Sequence, residues 1–300
     1  MASTETRIGF YLPFWGELDY LTVAVESIRH QSDDRWSLTV INDAYPDPRV
    51  DDYFASIDDQ RIRYVRNRTN VGITANFRKC VQMATEPIVV IIGYDDALLP
   101  DYVRVVLAAH ERYPEAAIIQ PGVRVINGAG DPSEPLVDGV KQRILRPTRS
   151  EPVLLQGDRL AARLMHGNWL YWPSLAFRRE VLEQHDFRDQ FSVIQDLALV
   201  LDILLAGESL LVVPDVVFSY RRHDASASST ELVDGSRFRG EREFFRLAAG
   251  LSADSGWRRT ALAARTHITS RLHALLLAPR ALKARDTAGV RALLRHTLGS

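Results

Sequence analysis

One apolar run that ends in two carboxylates limits what this chain can fold into more than any other stretch. Residues Pro87–Ile92 are apolar and mostly β-branched, and Gly93, Tyr94, Asp95 and Asp96 follow them. An unbroken run of this kind predicts a strand buried on both faces, as in the middle of a parallel sheet. Ligands of open α/β sheets bind beyond the carboxyl ends of the strands, which predicts a ligand site at the two acids. The alternative is that both acids are turn residues that close the strand.

The rest of the first half alternates between strand and helix patterns. From residue 8 to residue 92 the predicted order is β-α-β-β-α-β, with polar residues after successive strands. This alternation favours a parallel sheet with right-handed crossovers, so those polar residues are expected at one edge. Two carboxylates at that edge can hold a hard cation, and the cation can hold a diphosphate. The polar residues are Asp43, Asn70, Asp95 and Asp96.

Two common nucleotide-binding motifs do not occur in the sequence. No G-x-G-x-x-G follows the first predicted strand, and no G-x-x-x-x-G-K-[ST] occurs anywhere. These motifs supply the backbone N–H groups that hold phosphates in nicotinamide-type Rossmann enzymes and P-loop ATPases. The sequence therefore disfavours both classes, and a nucleotide would have to be held by carboxylates, amides and a metal.

The second half predicts further helices and strands around one long loop. Apolar residues at helical spacing cover about 100–113, 158–166 and 196–206, and strand patterns cover 116–126 and 175–177. Pro214 separates two more apolar runs, Leu210–Val213 and Val216–Tyr220, which are predicted as two strands. Residues 127–139 are rich in Gly, Pro and Asp and are predicted to form a loop.

Composition is that of a soluble globular protein and excludes several classes. The chain has 46% hydrophobic and 25% charged residues, and its net charge of −1 gives no reason to expect nucleic acid as a partner. Cys80 is the only cysteine, which excludes an intramolecular disulfide and fits a cytoplasmic location. The polar start of the chain predicts no signal peptide, and no apolar segment approaches the roughly 20 residues that span a bilayer.

Charge is unevenly distributed along the chain. From residue 231 onward there are 13 Lys and Arg against 6 Asp and Glu, so this part has a net charge of +7 and the remainder −8. Leucines at helical spacing predict helices in the basic part. Such helices either pack on the body or form a homodimer contact. Alternatively, they form a basic amphipathic surface that contacts anionic lipid, which would make the protein peripheral at the membrane.

Five segments, taken in order, resemble the glycosyltransferases of the GT-A fold, and most closely the large family 2 of inverting enzymes. The resemblance covers about residues 7–228. The last segment is similar to the family's tyrosine-arginine-x-histidine-x-x-serine-x-serine ending. The segments are Phe10–Pro13, Ile41–Asp43, Asn70–Asn76, Gly93–Asp96 and Tyr220–Ser228.

The resemblance implies an α/β GT-A fold with a mostly parallel, Rossmann-like central sheet flanked by helices. It implies a glycosyltransferase domain over residues 1–230. The nucleotide-binding half would cover about 1–125 and the acceptor half about 126–230. Residues 231–300 would then be a basic helical C-terminal extension.

The resemblance also implies how the donor would be bound. Asp43 would hydrogen-bond the nucleobase of a nucleotide-diphosphate sugar, such as a UDP-, GDP- or dTDP-sugar. Asp95 would face the ribose or the metal, and Asp96 would bind the metal, Mn²⁺ or Mg²⁺. The family's metal motif usually carries another Asp where Gly93 stands, so the full acidic motif is not present. Pro13, Asn70 and Gly72 would line the nucleotide pocket.

Further site residues follow from the second half of the resemblance. Asp196 would be the catalytic base, although its position before an apolar helix also suits a helix N-cap. His223 would lie near the diphosphate or the metal, or be a surface histidine. Candidates for phosphate or acceptor contacts are Arg221, Arg222, Trp169 and Trp172, with solvated charge or core packing as the alternatives.

These residues predict an inverting transfer of a sugar from a nucleotide-diphosphate donor to an acceptor hydroxyl. The acceptor would be a glycan, a lipid-linked molecule or a small molecule. The main alternative is a catalytically silent relative that binds a nucleotide sugar or a partner protein, which Gly93 and Gln195 favour. A nucleotidyltransferase is a second alternative, but residues 10–18 lack the glycine-rich, basic phosphate loop of that class. A non-enzymatic interaction module would leave the carboxylates unexplained.

Overall fold

The computed structural model describes residues 5–133, 146–147, 150–191, 194–222, 236–268 and 270–271. The strands and helices predicted for the first half are present in the predicted order, but a helix at Arg49–Ala55 and a two-residue strand at Ala97–Leu98 were not predicted. The elements of the first half are β1 (Ile8–Phe14), α1 (Leu18–Arg29), β2 (Trp36–Asn42), α2 (Arg49–Ala55), β3 (Ile62–Arg66), α3 (Ile73–Gln82), β4 (Ile88–Ile91), β5 (Ala97–Leu98), α4 (Tyr102–Arg112) and β6 (Ala116–Ile126).

The second half adds three strands and most of the helices that cover one face of the sheet. A 3₁₀ turn at Trp172–Ser174 precedes the strand that joins the two halves. The other elements are β7 (Val153–Gln156), α5 (Gly157–His166), β8 (Ala176–Arg178), α6 (Arg179–Leu182), α7 (Gln195–Leu205), β9 (Ser209–Arg221), α8 (Ser236–Asp254) and α9 (Arg258–Thr266).

A single nine-stranded sheet runs through the described part of the chain in the order β3-β2-β1-β4-β8-β6-β9-β5, with β7 paired to β9. The four strands β3, β2, β1 and β4 are mutually parallel, as predicted. Strand β8 runs antiparallel to both β4 and β6 and joins the two halves. The predicted α/β fold is therefore confirmed, although β5, β7 and β8 make the second half of the sheet mixed.

The central run behaves as its composition predicts, because its side chains alternate between two apolar layers. Val89 and Ile91 pack in the layer that contains α3, α5 and α7. Ile88, Val90 and Ile92 pack in the opposite layer, with α1 and α4. None of the five side chains is more than 2% exposed. Burial on both faces explains why the run has no polar position until Asp95.

The prediction of two strands around Pro214 is wrong in one respect, because both belong to the single strand β9. The pairing of β6 with β9 continues past Pro214 through register shifts on either side of Gly122. A Cβ at Gly122 would lie 2.6 Å from the carbonyl oxygen of Asp215, so glycine permits the two backbones to approach. A proline without an N–H is thus accommodated by an irregularity rather than by a chain break. As a result, β9 extends to Arg221.

The described part of the basic extension packs on the body. Phe244 and Phe245 of α8 and Ala264 of α9 belong to the same apolar layer as α5 and α7. The Asp158 carboxylate of α5 accepts the Thr260 N–H at 2.8 Å and the Arg259 N–H at 3.1 Å. The Asp158 side chain of α5 therefore caps the first turn of α9. Residues 272–300 lie outside the described residues, so the predicted boundary at 230 and the homodimer and lipid contacts stay predictions.

We expect the Asp158→Ala variant to lower the free energy of unfolding by about 1 kcal/mol, the usual cost of a lost helix cap. Burial raises the pKa of Asp158, but hydrogen bonds from Thr260 and Arg259 outweigh it and leave the pKa below its ordinary value. Because the folded pKa is depressed, this stabilisation is present above the unfolded pKa of about 3.9 and is lost as pH falls through the folded pKa. Urea titrations at neutral pH and at successively lower pH values measure the difference.

The Asp158→Asn variant is the control, because its amide oxygen still accepts from the first turn of α9. It should lose less stability than the alanine variant at neutral pH. A difference between wild type and the alanine variant that stays constant down to the lowest pH would contradict a role for the charged cap.

Candidate functional site

The predicted polar residues do follow the carboxyl ends of the parallel strands. Phe14 of β1 is paired with Asn42 of β2, and the Asp43 N–H donates to the Phe14 carbonyl at 2.9 Å. The chain leaves β4 at the same edge, because the Ile92 N–H donates to the Tyr11 carbonyl at 3.0 Å. The acids after β2 and β4 are therefore on one rim of the sheet.

Asp43 is buried and organises the loop that precedes α3. Its carboxylate accepts the Val71 and Gly72 N–H groups at 2.9 Å each and the Asn67 side-chain amide at 2.7 Å. The exposed Asn70 contributes a further bond to the Gly72 N–H at 3.0 Å. Asp43, Asn70 and Gly72 are thus brought together, and Asp43 holds the loop in place, a role that the sequence did not reveal.

Asp96 combines burial with an oxygen that has no partner. It is 1% exposed, and its Oδ1 accepts the Arg221 backbone N–H at 2.9 Å. Its Oδ2 is buried without a hydrogen-bond partner among the described residues. Burial and the neighbouring charge of Asp95 raise the pKa of the Asp96 carboxyl well above its ordinary value, against the opposing effect of Arg221.

Gly93 leaves the space that the two carboxylates occupy. A Cβ at Gly93 would lie 2.6 Å from Asp96 Oδ2 and 3.0 Å from Asp95 Oδ1. The oxygens of the two acids thus converge where a side chain at position 93 would begin. No group of three or more His, Cys, Asp or Glu side chains suited to a metal occurs in the described part of the chain. A divalent cation nevertheless fits here, because a buried carboxylate oxygen without a donor is a suitable hard ligand.

The Arg221 guanidinium, predicted as a candidate for phosphate or acceptor contacts, donates to backbone carbonyls at the rim. The residue is 5% exposed, and its Nε donates to the Asp95 carbonyl at 2.7 Å. Its Nη1 donates to the carbonyls of Asn127 and Gly128 at 3.1 and 3.0 Å. Backbone carbonyls of two loops accept from these donors, and a phosphate or acceptor contact from Arg221 stays a prediction.

The helix that carries Asp196 begins at the same rim. Its first residue, Gln195, is buried and accepts the Thr74 hydroxyl at 2.9 Å. Because Thr74 lies in the first turn of α3, this contact joins the start of α7 to the loop held by Asp43. Asp196 is the second residue of α7, and Ile194 occupies the N-cap position. The N-cap interpretation of Asp196 is therefore wrong.

The aromatic candidates are buried rather than presented to a ligand. Trp169 is 0% exposed and Trp172 is 8% exposed. The Trp172 ring packs against Phe77, Phe177 and Phe187, with centroid distances of 5.2 to 6.0 Å. This placement favours core packing for both tryptophans, and a sugar contact from either stays a prediction.

Two further predicted residues, Arg222 and Pro13, lie directly after β9 and within β1. The Arg222 N–H donates to the Ile126 carbonyl at 2.9 Å, and its guanidinium lies 5.8 Å from the centroid of the Tyr220 ring. Pro13 is half-buried within β1. His223 lies outside the described residues, so its contact with a metal stays a prediction.

One aromatic pair at the rim was missed at the sequence level. Trp15, the first residue after β1, is 47% exposed. Its ring meets Tyr45 edge-on at 5.3 Å, and Tyr45 follows Asp43 by two residues. The sequence contains a signal for this placement, because a tryptophan directly after a strand that ends at the rim has to lie near the other rim residues. An exposed aromatic face at this point is suited to stacking on a flat ligand.

Solved structures with a similar fold include those of the protein TarS of S. aureus. TarS 1–349 in complex with UDP-GlcNAc superposes with a TM-score of 0.64 at 12% identity, covering 98% of this chain and 93% of TarS 1–349. The same protein in complex with UDP gives a TM-score of 0.57 at 13% identity, covering 98% and 92%. At this identity the similarity shows the fold alone, which is the GT-A fold.

Two curated relatives match in sequence over part of the chain. WcaA of Escherichia coli (strain K12), named as a colanic acid biosynthesis glycosyl transferase, is 24% identical over 122 residues, which is 40% of this chain and 44% of WcaA. Protein y4gI of Sinorhizobium fredii (strain NBRC 101917 / NGR234) is 28% identical over 101 residues, or 33% of this chain and 11% of y4gI. The matched region thus spans less than half the length of either relative.

The family assignment rests on a longer match. The sequence model described as "Glycosyl transferase family 2" matches residues 10–185, which is more than half of the chain. The matched region includes Asp43, Gly93 and the two acids that follow it, all of which lie on one rim. The chain therefore belongs to glycosyl transferase family 2.

Proposed function

We propose that this glycosyltransferase moves a sugar from a nucleoside-diphosphate donor to an acceptor hydroxyl with inversion at the anomeric carbon. The observation that carries the proposal is the convergence of three features on one rim. These are the Asp43 loop, the pair of Asp95 with the buried Asp96, and the start of α7 with Asp196. The bond from Thr74 to Gln195 joins the start of α7 to the same rim.

Asp43 is proposed to select the nucleobase. Its Oδ2 accepts one N–H, from Gly72, and a carboxylate oxygen has room for a second donor. The bases that offer an imide or amide ring N–H are uracil, thymine and guanine, which agrees with a UDP-, dTDP- or GDP-sugar. The complexes of TarS with UDP-GlcNAc and UDP support a uridine donor among these. Trp15 is placed to contribute a stacking face.

Mn²⁺ or Mg²⁺ is proposed to bind at the Asp95–Asp96 pair, with Asp96 Oδ2 as the central protein ligand. The bound cation would act as a Lewis acid that stabilises the charge of the departing diphosphate. Two carboxylates leave most coordination positions to diphosphate oxygens and water, as is usual for Mg²⁺. His223 stays a predicted additional ligand.

Asp196 is proposed as the general base. An alcohol is a poor nucleophile, and removal of its proton during attack is worth typically ~10²–10⁴-fold in rate. The incoming hydroxyl would approach from the side of α7, whereas the diphosphate departs toward the acids after β4. Attack from the face opposite the leaving group inverts the anomeric configuration.

The acceptor is left open by these contacts, and a glycan, a lipid-linked molecule and a small molecule all stay candidates. No helix among the described residues is long and apolar enough to cross a bilayer. The proposals of a cytoplasmic location and of a peripheral membrane contact through the basic tail rest on the sequence.

A thermal-shift panel of UDP-, GDP- and dTDP-sugars, with an ADP-sugar as the control whose base has no ring N–H, tests the donor. Each sugar is measured with Mn²⁺ and with EDTA. The correct donor at 100 times its dissociation constant should stabilise the protein by ~2.7 kcal/mol in the presence of Mn²⁺ and by less with EDTA. An equal response to ADP- and UDP-sugars would contradict the role of Asp43. Binding without turnover, over a range of acceptors, would favour the catalytically silent relative.

A further inference from the structure

We propose that Arg221 is a positioning residue that holds the Asp95–Asp96 turn and the loop after β6 in one fixed arrangement, and so sets the geometry of the carboxylate pair. The inference rests on the proposed function of that pair. It gives a role to a residue that the sequence suggested for phosphate binding, and it explains why a buried arginine stands at the end of β9.

The first step of the argument is the peptide plane between the two acids. Arg221 Nε donates to the Asp95 carbonyl at 2.7 Å, so it fixes the peptide group that links Asp95 to Asp96. The orientation of that group sets the directions in which both side chains leave the backbone. The Arg221 backbone N–H also holds Asp96 Oδ1 at 2.9 Å, which turns Oδ2 toward the space above Gly93.

The second step is the loop after β6. The Asn127 and Gly128 carbonyls both accept from Arg221 Nη1, at 3.1 and 3.0 Å. A tight turn presents these carbonyls, closed by the bond from the Gly130 N–H to the Asn127 carbonyl at 3.0 Å. One guanidinium therefore connects the nucleotide-binding half to the start of the acceptor half.

The third step is the support for the guanidinium itself. Its Cζ lies 4.9 Å from the centroid of the Tyr20 ring, which is a favourable distance for a cation over an aromatic face. The planar fork of an arginine can serve several carbonyls at fixed angles, whereas a lysine ammonium is a single point charge on a flexible stem. The geometry of the contacts accordingly requires arginine rather than any cation.

The test compares Mn²⁺ binding by the Arg221→Gln variant and by wild type, each saturated with UDP. Binding is followed through the loss of the free-ion electron paramagnetic resonance signal, and unfolding temperatures are measured in parallel. We expect the dissociation constant for Mn²⁺ to rise about tenfold, the equivalent of one lost hydrogen bond to a charged group. Dissociation constants within twofold of each other would overturn the proposal, even if the variant unfolds at a lower temperature.

Two further variants make the result specific. Arg124→Gln is the matched control, because Arg124 lies on β6 and donates to Ser219 of β9 at 2.8 Å without reaching the two acids. It should bind Mn²⁺ as wild type does. Arg221→Lys keeps the positive charge but removes the planar guanidinium, so it serves as the test if the glutamine variant does not fold. It should also weaken Mn²⁺ binding. Wild-type affinity in the lysine variant would overturn the proposal.

The same experiment separates this inference from the proposed function. If wild type binds no Mn²⁺ in the presence of UDP, the proposed metal site fails, and the positioning role fails with it. If wild type and Arg221→Gln bind Mn²⁺ equally well, only the positioning role fails and the proposed site stands.

Discussion

The Asp196→Asn variant is expected to bind the donor as wild type does and to lose sugar transfer by ~10²–10⁴-fold, the usual contribution of a general base. The amide keeps the size of the carboxylate and cannot take the proton of an attacking hydroxyl. Donor affinity should not change, because the nucleotide contacts are assigned to Asp43 and to the acids after β4. Calorimetric titration with the donor and a turnover assay with an accepted acceptor measure the two properties separately.

Asp215→Asn is a suitable control, since Asp215 is an exposed acid of β9 beside Pro214 and not at the rim. It should retain wild-type turnover and thus show that loss of one negative charge does not by itself reduce activity. Turnover of Asp196→Asn close to that of wild type would remove Asp196 from the role of base. Equal losses in donor affinity and in turnover would instead point to a structural role at the start of α7.

The Gly93→Asp variant, which introduces the acid usual in the family, is expected to lose function rather than to gain metal affinity. A Cβ at this position would lie 2.6 Å from Asp96 Oδ2, far inside van der Waals contact, so at least one carboxylate has to move. A displacement of about 1 Å at a reacting centre can cost ~10²-fold in rate. We therefore expect kcat/KM to fall by about that factor and Mn²⁺ binding to weaken.

Gly93→Ala tests the same contact without adding a charge, and it should act in the same direction. Gly250→Ala in α8 is the matched control, because a Cβ there meets nothing within 4 Å and alanine is favoured over glycine inside a helix. It should leave activity unchanged and should not lower the free energy of unfolding. Tighter Mn²⁺ binding by Gly93→Asp than by wild type would show that the missing acid, and not the space, limits the site.

Much of the fold was predictable because its signals are local. The run at residues 88–92 is apolar at every position, which only a strand covered on both faces explains, and the structure buries all of it. The second helix of the predicted order is observed at Ile73–Gln82, and its apolar residues Phe77 and Cys80 are buried. The parallel direction of the first four strands likewise agrees with the alternation of strands and helices.

The second half was less predictable because its pairings are non-local. Strand β8 is only three residues long, Ala176–Arg178, and it joins the two halves by running antiparallel to β4 and β6. Nothing in so short a segment specifies its partners or its direction. The continuity of β9 through Pro214 likewise depends on Gly122 of the neighbouring strand, which lies far away in sequence.

The sequence by itself determined the fold class, the family and the positions of the acids at the ends of β2 and β4, since each follows from short segments and their order along the chain. Only the tertiary structure decided what surrounds these acids. It showed that Asp43 holds a loop, that Arg221 serves backbone carbonyls, and that the space at Gly93 is filled by oxygens of Asp95 and Asp96. The physical reason is that burial, hydrogen-bond partners and free volume arise when distant segments meet, and no pattern of neighbouring residues encodes them.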